Sequence, residues 1–223
     1  MLFDIIKINF VIFIYYRNFV MILPNYMKAH SSPEFFDSIA DTWDSNEKLS
    51  VPDRIHRFLG EICIFPGEKI LDLGTGTGVL IPYMARLTGP KGSVTAVDFS
   101  QKMLDHAKAK FGDIANVRFR LCDFEKDFPD GRYDLVMMYC VYPHLGNPEC
   151  LLKEIAASHL SDIGRIVIAF PCREDFINHV HGDIKADAHL LPPAPVLAER
   201  IRNWGLSANV IEYSDDLYIL EIR

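Results

Sequence analysis

The sequence is short of several features that would each settle a function class. Its five cysteines, Cys63, Cys122, Cys140, Cys150 and Cys172, form no C-x-x-C pair and are odd in number, so neither a disulfide framework nor a paired-thiol metal motif is expected. Reduced thiols of a cytoplasmic protein fit that usage. There is no run of basic residues, and 23 Lys and Arg against 30 Asp and Glu leave a net charge of -7. A nucleic-acid partner is therefore not expected, because binding a polyanion requires a basic face that displaces counterions. Internal repeats and low-complexity segments are also missing. With 49% hydrophobic and 24% charged residues, the 223-residue chain has the composition of one ordinary core.

A long apolar run is absent even where the chain is most hydrophobic. From Leu2 to Leu23 it is rich in Ile, Phe, Val and Tyr, yet Lys7, Asn9, Arg17 and Asn18 interrupt it and the longest clean stretch is Phe10 to Tyr16. That falls far short of the roughly 20 apolar residues that span a bilayer. The following Arg17-Asn18-Phe19-Val20-Met21 is not the small-residue site of a signal peptide. Residues 1–30 are read as an extension, either disordered or arising from a start codon wrongly placed upstream of Met21 or Met27. A membrane-surface or partner-binding helix is the other reading.

Residues 31–223 carry the domain. Ser31-Ser32-Pro33-Glu34 is a helix start, with Phe35, Phe36, Ile39, Ala40 and Trp43 following at helical spacing. A second helix is predicted over Val51 to Ile62. Strands and helices then alternate: strand 69–73, helix 79–87, strand 93–98, helix 101–111, strands 117–121 and 133–139, helix 148–160 and strand 165–170. Short apolar strands separated by amphipathic helices indicate βαβ units, hence an α/β fold with a mostly parallel, Rossmann-like sheet covered on both faces. A helix from Ala194 to Trp204, stopped by Gly205, leads into strands 208–213 and 217–222, an antiparallel C-terminal hairpin.

The chemistry is concentrated at strand ends. Ile70-Leu71-Asp72-Leu73-Gly74-Thr75-Gly76-Thr77-Gly78 is an apolar strand running into a glycine-rich turn, whose bare backbone can pass close to a ligand. The next strand ends in Asp98, twenty-four residues after Gly74, where a nucleotide fold places a carboxylate for ribose hydroxyls. Arg120-Leu121-Cys122-Asp123 puts a third acid at the next strand end.

Together these segments resemble the successive motifs of class I methyltransferases that use S-adenosylmethionine (SAM). Leu71 to Gly78, Val97-Asp98-Phe99-Ser100-Gln101-Lys102-Met103-Leu104 and Cys122-Asp123 carry the resemblance, and Phe36-Asp37-Ser38-Ile39-Ala40-Asp41-Thr42-Trp43-Asp44 is similar to the helix before the core in ubiquinone/menaquinone C-methyltransferases. The resemblance implies a seven-stranded sheet with its final strand inserted antiparallel. It implies SAM as cofactor, with Asp72, Gly74, Thr75, Gly76 and Gly78 beneath the methionine portion and Asp98 on the ribose. Phe99 joins that strand end, Met103 packs on the adenine, Asp123 accepts from its amine, Cys122 and Phe124 wall the ring, and Trp43 closes over the sulfonium. A small-molecule methyl acceptor is expected.

His144 is the candidate general base should the acceptor need deprotonation. His179, His181 and His189 fall in a segment after the fifth strand that fits no motif. They are read as serving the acceptor side, with a metal set or a solvated loop as the other readings, and no established zinc spacing is matched. A nicotinamide-dependent oxidoreductase is disfavoured because Gly74-Thr75-Gly76-Thr77-Gly78-Val79 lacks the third dinucleotide glycine. A non-catalytic SAM-binding regulatory protein stays open.

Because the first capping signal is at Ser31, deleting residues 1–26 is expected to leave the fold and SAM affinity intact. Circular dichroism melts and calorimetric titration of the truncated chain check this, and precipitation would show that the segment covers apolar surface.

Overall fold

A computed structural model of the chain describes residues 32–44, 51–180 and 190–223. Helix α1 (Pro33–Trp43) is opened by the Ser32 hydroxyl, which accepts from Phe35 N, with Pro33 in the first turn. After α2 (Val51–Ile62) come β1 (Lys69–Leu73), α3 (Ile81–Thr88), β2 (Ser93–Asp98), α4 (Gln101–Phe111), β3 (Val117–Leu121) and β4 (Tyr133–Tyr139). Then follow α5 (Pro148–Glu154), β5 (Leu160–Phe170), α6 (Glu174–Val180), α7 (Ala194–Asn203), β6 (Ala208–Tyr213) and β7 (Tyr218–Ile222).

The seven strands form one sheet in the order β3-β2-β1-β4-β5-β7-β6. β1 to β5 run parallel, while β7 lies antiparallel between β5 and β6. This is the Rossmann-like α/β sheet with the inserted last strand that the motifs implied. Alternation along each central strand separates two cores. Leu71, Val136, Met138, Ile166, Ile168 and Phe170 face one side and meet Leu197, Ala198 and Ile201 of α7. Ile70, Leu135, Met137, Val167 and Ala169 face the other and meet Ile55, Phe58 and Leu59 of α2 and Ile81, Met84 and Ala85 of α3. Among the described residues no helix is long and apolar enough to cross a membrane.

Three local expectations need correction. The helix read as 148–160 ends at Glu154, and the chain unwinds through a wider turn at Ile155–His159. The strand read from Arg165 begins instead at Leu160, because Tyr133 pairs with Leu160 and Leu135 with Arg165, so β5 carries a bulge. Gly164 fits there because a Cβ would come within 2.7 Å of Tyr133 O. The segment after β5, read as a loop, contains α6, whose first turn carries Glu174 and Asp175 where the helix dipole favours acids.

The edge of the sheet away from the strand ends is closed by Arg165. Its side chain is 7% exposed and donates to Glu68 Oε1 at 2.7 Å, Ile62 O at 3.2 Å, Cys63 O at 2.9 Å and Asp134 O at 3.3 Å. One guanidinium thereby ties β5 to the end of α2 and the entry to β1. Replacing it would take the charged donor from Glu68 Oε1 and a donor from three carbonyls, so Arg165→Ala should cost about 3 to 5 kcal/mol of stability. Urea denaturation measures this directly, and a loss below about 1 kcal/mol would show that water substitutes for the guanidinium.

Candidate active site

The carboxyl ends of the parallel strands open on a cleft of about 490 Å³. That volume suits one small-molecule site. Its floor is the turn after β1, where Gly74, Gly76 and Gly78 all have positive φ, at 70°, 55° and 89°. Their surroundings differ. A Cβ at Gly74 would lie 2.6 Å from Val141 Cγ2 and one at Gly78 would lie 2.9 Å from Ile81 Cδ1, whereas one at Gly76 would meet nothing within 4 Å. Gly74 and Gly76 line the cleft, and Gly78, which does not, is kept small by packing on α3 and Phe111.

Two buried carboxylates face this floor. Asp98, 4% exposed, accepts from Gly76 N at 2.8 Å through Oδ2 and from Ser100 N at 2.9 Å through Oδ1. Burial nevertheless pushes its pKa up to about 6. Asp72, 2% exposed, accepts from the Thr75 hydroxyl at 2.6 Å, and burial together with the nearby Asp98 raises its pKa to about 7. Among the described residues neither acid has a salt-bridge partner. The cleft thus holds two desolvated acids and an open stretch of glycine backbone.

The walls come from successive elements. Trp43 projects from α1, and Phe99 and Met103 come from the end of β2 and from α4. Asp123 and Phe124 follow β3, with Asp123 paired to Lys126 Nζ at 2.7 Å. Cys122 lies beside them but turns away from the cleft, its thiol bonded to Asp127 O at 2.5 Å and packed into the core. His144 closes the short turn Tyr142–His144 after β4 and lines the cleft, its ring 5.5 Å from that of Phe36 and nearly perpendicular to it. Of the twelve residues expected to hold the cofactor, all but Gly78 and Cys122 therefore reach one cavity.

For the half of the cleft beyond β4 and β5 the sequence reading named three histidines and missed the residues that line it. Tyr139, Cys140, Phe170, Cys172, Phe176 and Ile177 line it, together with Phe36 of α1. The available signal was position, since most of these residues sit at or just past the predicted ends of β4 and β5. Cys140 is held at φ 60°, unusual for a residue with a side chain, at the point where β4 gives way to the cleft. Of the histidines read on the acceptor side, His179 falls in the last turn of α6, with its side chain outside the description, and His181 and His189 lie outside the described residues. Among the described residues no three His, Cys, Asp or Glu side chains converge as a metal set would.

The sheet order, with its antiparallel strand inserted last and a glycine turn at the first crossover, defines a Rossmann-like methyltransferase fold. Residues 64–215 match the family described as a methyltransferase domain, and the chain belongs to that family. It is 35% identical over 123 residues to the ubiquinone/menaquinone biosynthesis C-methyltransferase UbiE of Stutzerimonas stutzeri (strain A1501), covering 51% of this chain and 48% of that protein. It is 31% identical over 142 residues to the demethylmenaquinone methyltransferase of Tropheryma whipplei (strain Twist), covering 60% and 56%. The chain spans about half the length of the curated relatives it matches. A SAM dependent methyltransferase from Aquifex aeolicus has the same fold, with a TM-score of 0.64 at 20% identity over 86% of this chain and 97% of that one.

The raised pKa of Asp72 fixes the sign of a pH effect on the ligand-free protein. Its folded value, about 7, lies above the ordinary 3.8, so the neutral acid's contribution is present below about pH 4 and is lost as pH rises through 7. Asp72→Asn keeps an acceptor for Thr75 but cannot ionise. The variant should match the native protein near pH 4 and exceed its stability by about 2 to 4 kcal/mol at pH 8. Urea melts at the two pH values check it, and equal stability at pH 8 would contradict the desolvation of Asp72.

Proposed function

We propose that the chain is a cytoplasmic SAM-dependent methyltransferase acting on a small-molecule acceptor. The observation that carries this reading is the pair of buried carboxylates, Asp72 and Asp98, facing a cleft with, among the described residues, no salt-bridge cation beside them and with an open backbone at Gly76. Such a site fits a ligand that brings a ribose diol to Asp98 and positive charge to the neighbourhood of Asp72. SAM offers both, and when bound it supplies a methyl group already activated on a sulfonium.

The chain's own residues then bind, orient and exclude water. Asp98 uses one lone pair on each oxygen for Gly76 and Ser100, which leaves capacity for ribose hydroxyls. Met103, Phe99 and Phe124, which line the cleft, would wall the adenine, and Asp123 would accept from its amine. Trp43 presents an aromatic face at the sulfonium end, where a cation is favoured. The acceptor would occupy the half bounded by Tyr139, Phe170, Phe176 and Ile177, whose apolar surfaces keep water from the reacting atoms and hold the acceptor in line. His144, at the boundary of the two halves, would take the proton of an acceptor that must lose one.

Losing Asp98 removes two charge-assisted bonds to the ribose, each worth about 1.5 to 3 kcal/mol. Asp98→Ala is expected to weaken SAM binding about 100-fold or more in calorimetric titration, with the fold retained by circular dichroism. Affinity within threefold of the native protein would refute the assignment.

A further inference from the structure

Helix α1 is fastened to the cleft in a way the cofactor assignment does not use. Asp37, Asp41 and Asp44 recur at four and three residues, so they share one side of the helix. Asp37 Oδ1 accepts from the Ser100 hydroxyl at 2.6 Å and from Lys102 N at 3.0 Å. Asp44 Oδ1 accepts from the Thr77 hydroxyl at 2.6 Å, and its Oδ2 pairs with Lys110 Nζ at 2.7 Å. Asp41 meets His106 at 2.9 Å, but this pair is open to solvent, with the side chains 75% and 38% exposed. The three acids do not count equally, because an exposed pair contributes little.

The two part-buried hydroxyl contacts land on the two loops that build the cofactor floor. Thr77 sits in the glycine turn, with its hydroxyl given to α1. Ser100 bridges directly, since its N–H donates to Asp98 while its hydroxyl donates to Asp37. Elsewhere α1 is held by a small apolar cluster of Ile39, Ala40 and Met103, with Phe35, Phe36 and Trp43 against it, separate from the two cores that sandwich the sheet. Releasing α1 would therefore break these few contacts and leave the sheet packed. Phe36 and Trp43, both in the cleft wall, would move with it.

We propose that Asp37 and Asp44 are positioning residues that latch α1 across the cleft through Ser100 and Thr77, so that the latch governs how long the cofactor stays bound. This rests on the function proposed above. The latch couples ligand and strap reciprocally: a floor ordered by the ligand presents Thr77 and Ser100 to α1, and a docked α1 keeps Phe36 and Trp43 against the ligand.

The test uses the full chain with Trp204→Phe, which leaves Trp43 as its one tryptophan, and S-adenosylhomocysteine as the probe. Stopped-flow displacement should show dissociation about tenfold faster in Thr77→Val, as expected for one lost charge-assisted bond, and at least as fast in Asp44→Ala and Asp37→Ala, which each lose a second contact as well. Asp44→Ala combined with Thr77→Val should be no faster than the worse single variant, because both remove the same bond. Thr77→Ser, which keeps the hydroxyl, should restore the native rate, and Asp41→Ala should leave it unchanged.

In the ligand-free protein, acrylamide quenching of Trp43 should rise in the three latch variants without a matching fall in Tm. Rates within twofold of native in Asp37→Ala and Asp44→Ala would overturn the inference, as would additive effects or quenching that rises only in step with lost global stability. If the native chain failed to bind the probe the proposed function would fall instead, and ligand-free quenching would still decide the latch.

Discussion

A single carboxylate organises the binding edge. Asp98 ends β2, yet its oxygens are bonded to the glycine turn after β1 and to the first residues before α4, so one side chain sets the relative height of two crossover loops. It does so while buried, against a desolvation cost that lifts its pKa to about 6. Structural bonds from two backbone N–H groups offset part of that cost, and a ligand's hydroxyls would offset more. The same residue is thus a fold constraint and a binding group. The shape of the floor cannot be changed independently of its chemistry.

Asp72 stands one strand away and accepts from the Thr75 hydroxyl, its one hydrogen-bond donor among the described residues. The contrast gives the cleft a gradient. One acid is locked by backbone, while the other is held by a side-chain hydroxyl and disfavoured as an anion by its burial. The glycine turn shows a similar division of labour: Gly74 and Gly78 are small because Val141, Ile81 and Phe111 press on them, and only Gly76 is small toward the cavity.

The strands and crossovers that build the cofactor half were legible in the sequence. β1 to β4 reproduce the expected bounds because buried parallel strands are marked by short apolar runs and sharp breaks. The acids at the ends of β1, β2 and β3 were visible as polar groups terminating those runs. What escaped was set by contacts distant along the chain. The apolar spacing of Leu151, Leu152 and Ile155 continues a helical pattern, but pairing of Leu160 with Tyr133 turns the chain into a strand and needs the bulge at Gly164. Helix α6 carries weak helix formers, and Tyr213 donating to Glu174 and Asn178 paired with Leu191 help to hold it. Cys122 was expected to face the ring pocket from its place beside Asp123, yet neighbouring positions at a strand end point opposite ways. Phe36 is legible only as an apolar position at helical spacing, and it becomes a cleft wall because α1 lies across the strand ends.

The position of β7 bears on how the chain is made. β5 is synthesised well before its neighbour in the sheet, and until residues 218–222 emerge its outer edge has no partner. During that interval a long, apolar strand offers free N–H and C=O groups to any other extended segment, a situation that invites mispairing. β6, which emerges first, is the strand that must wait on the outside. Completion of the sheet is therefore a late, long-range event in the life of the nascent chain, and the interval before it is when a chaperone would matter most.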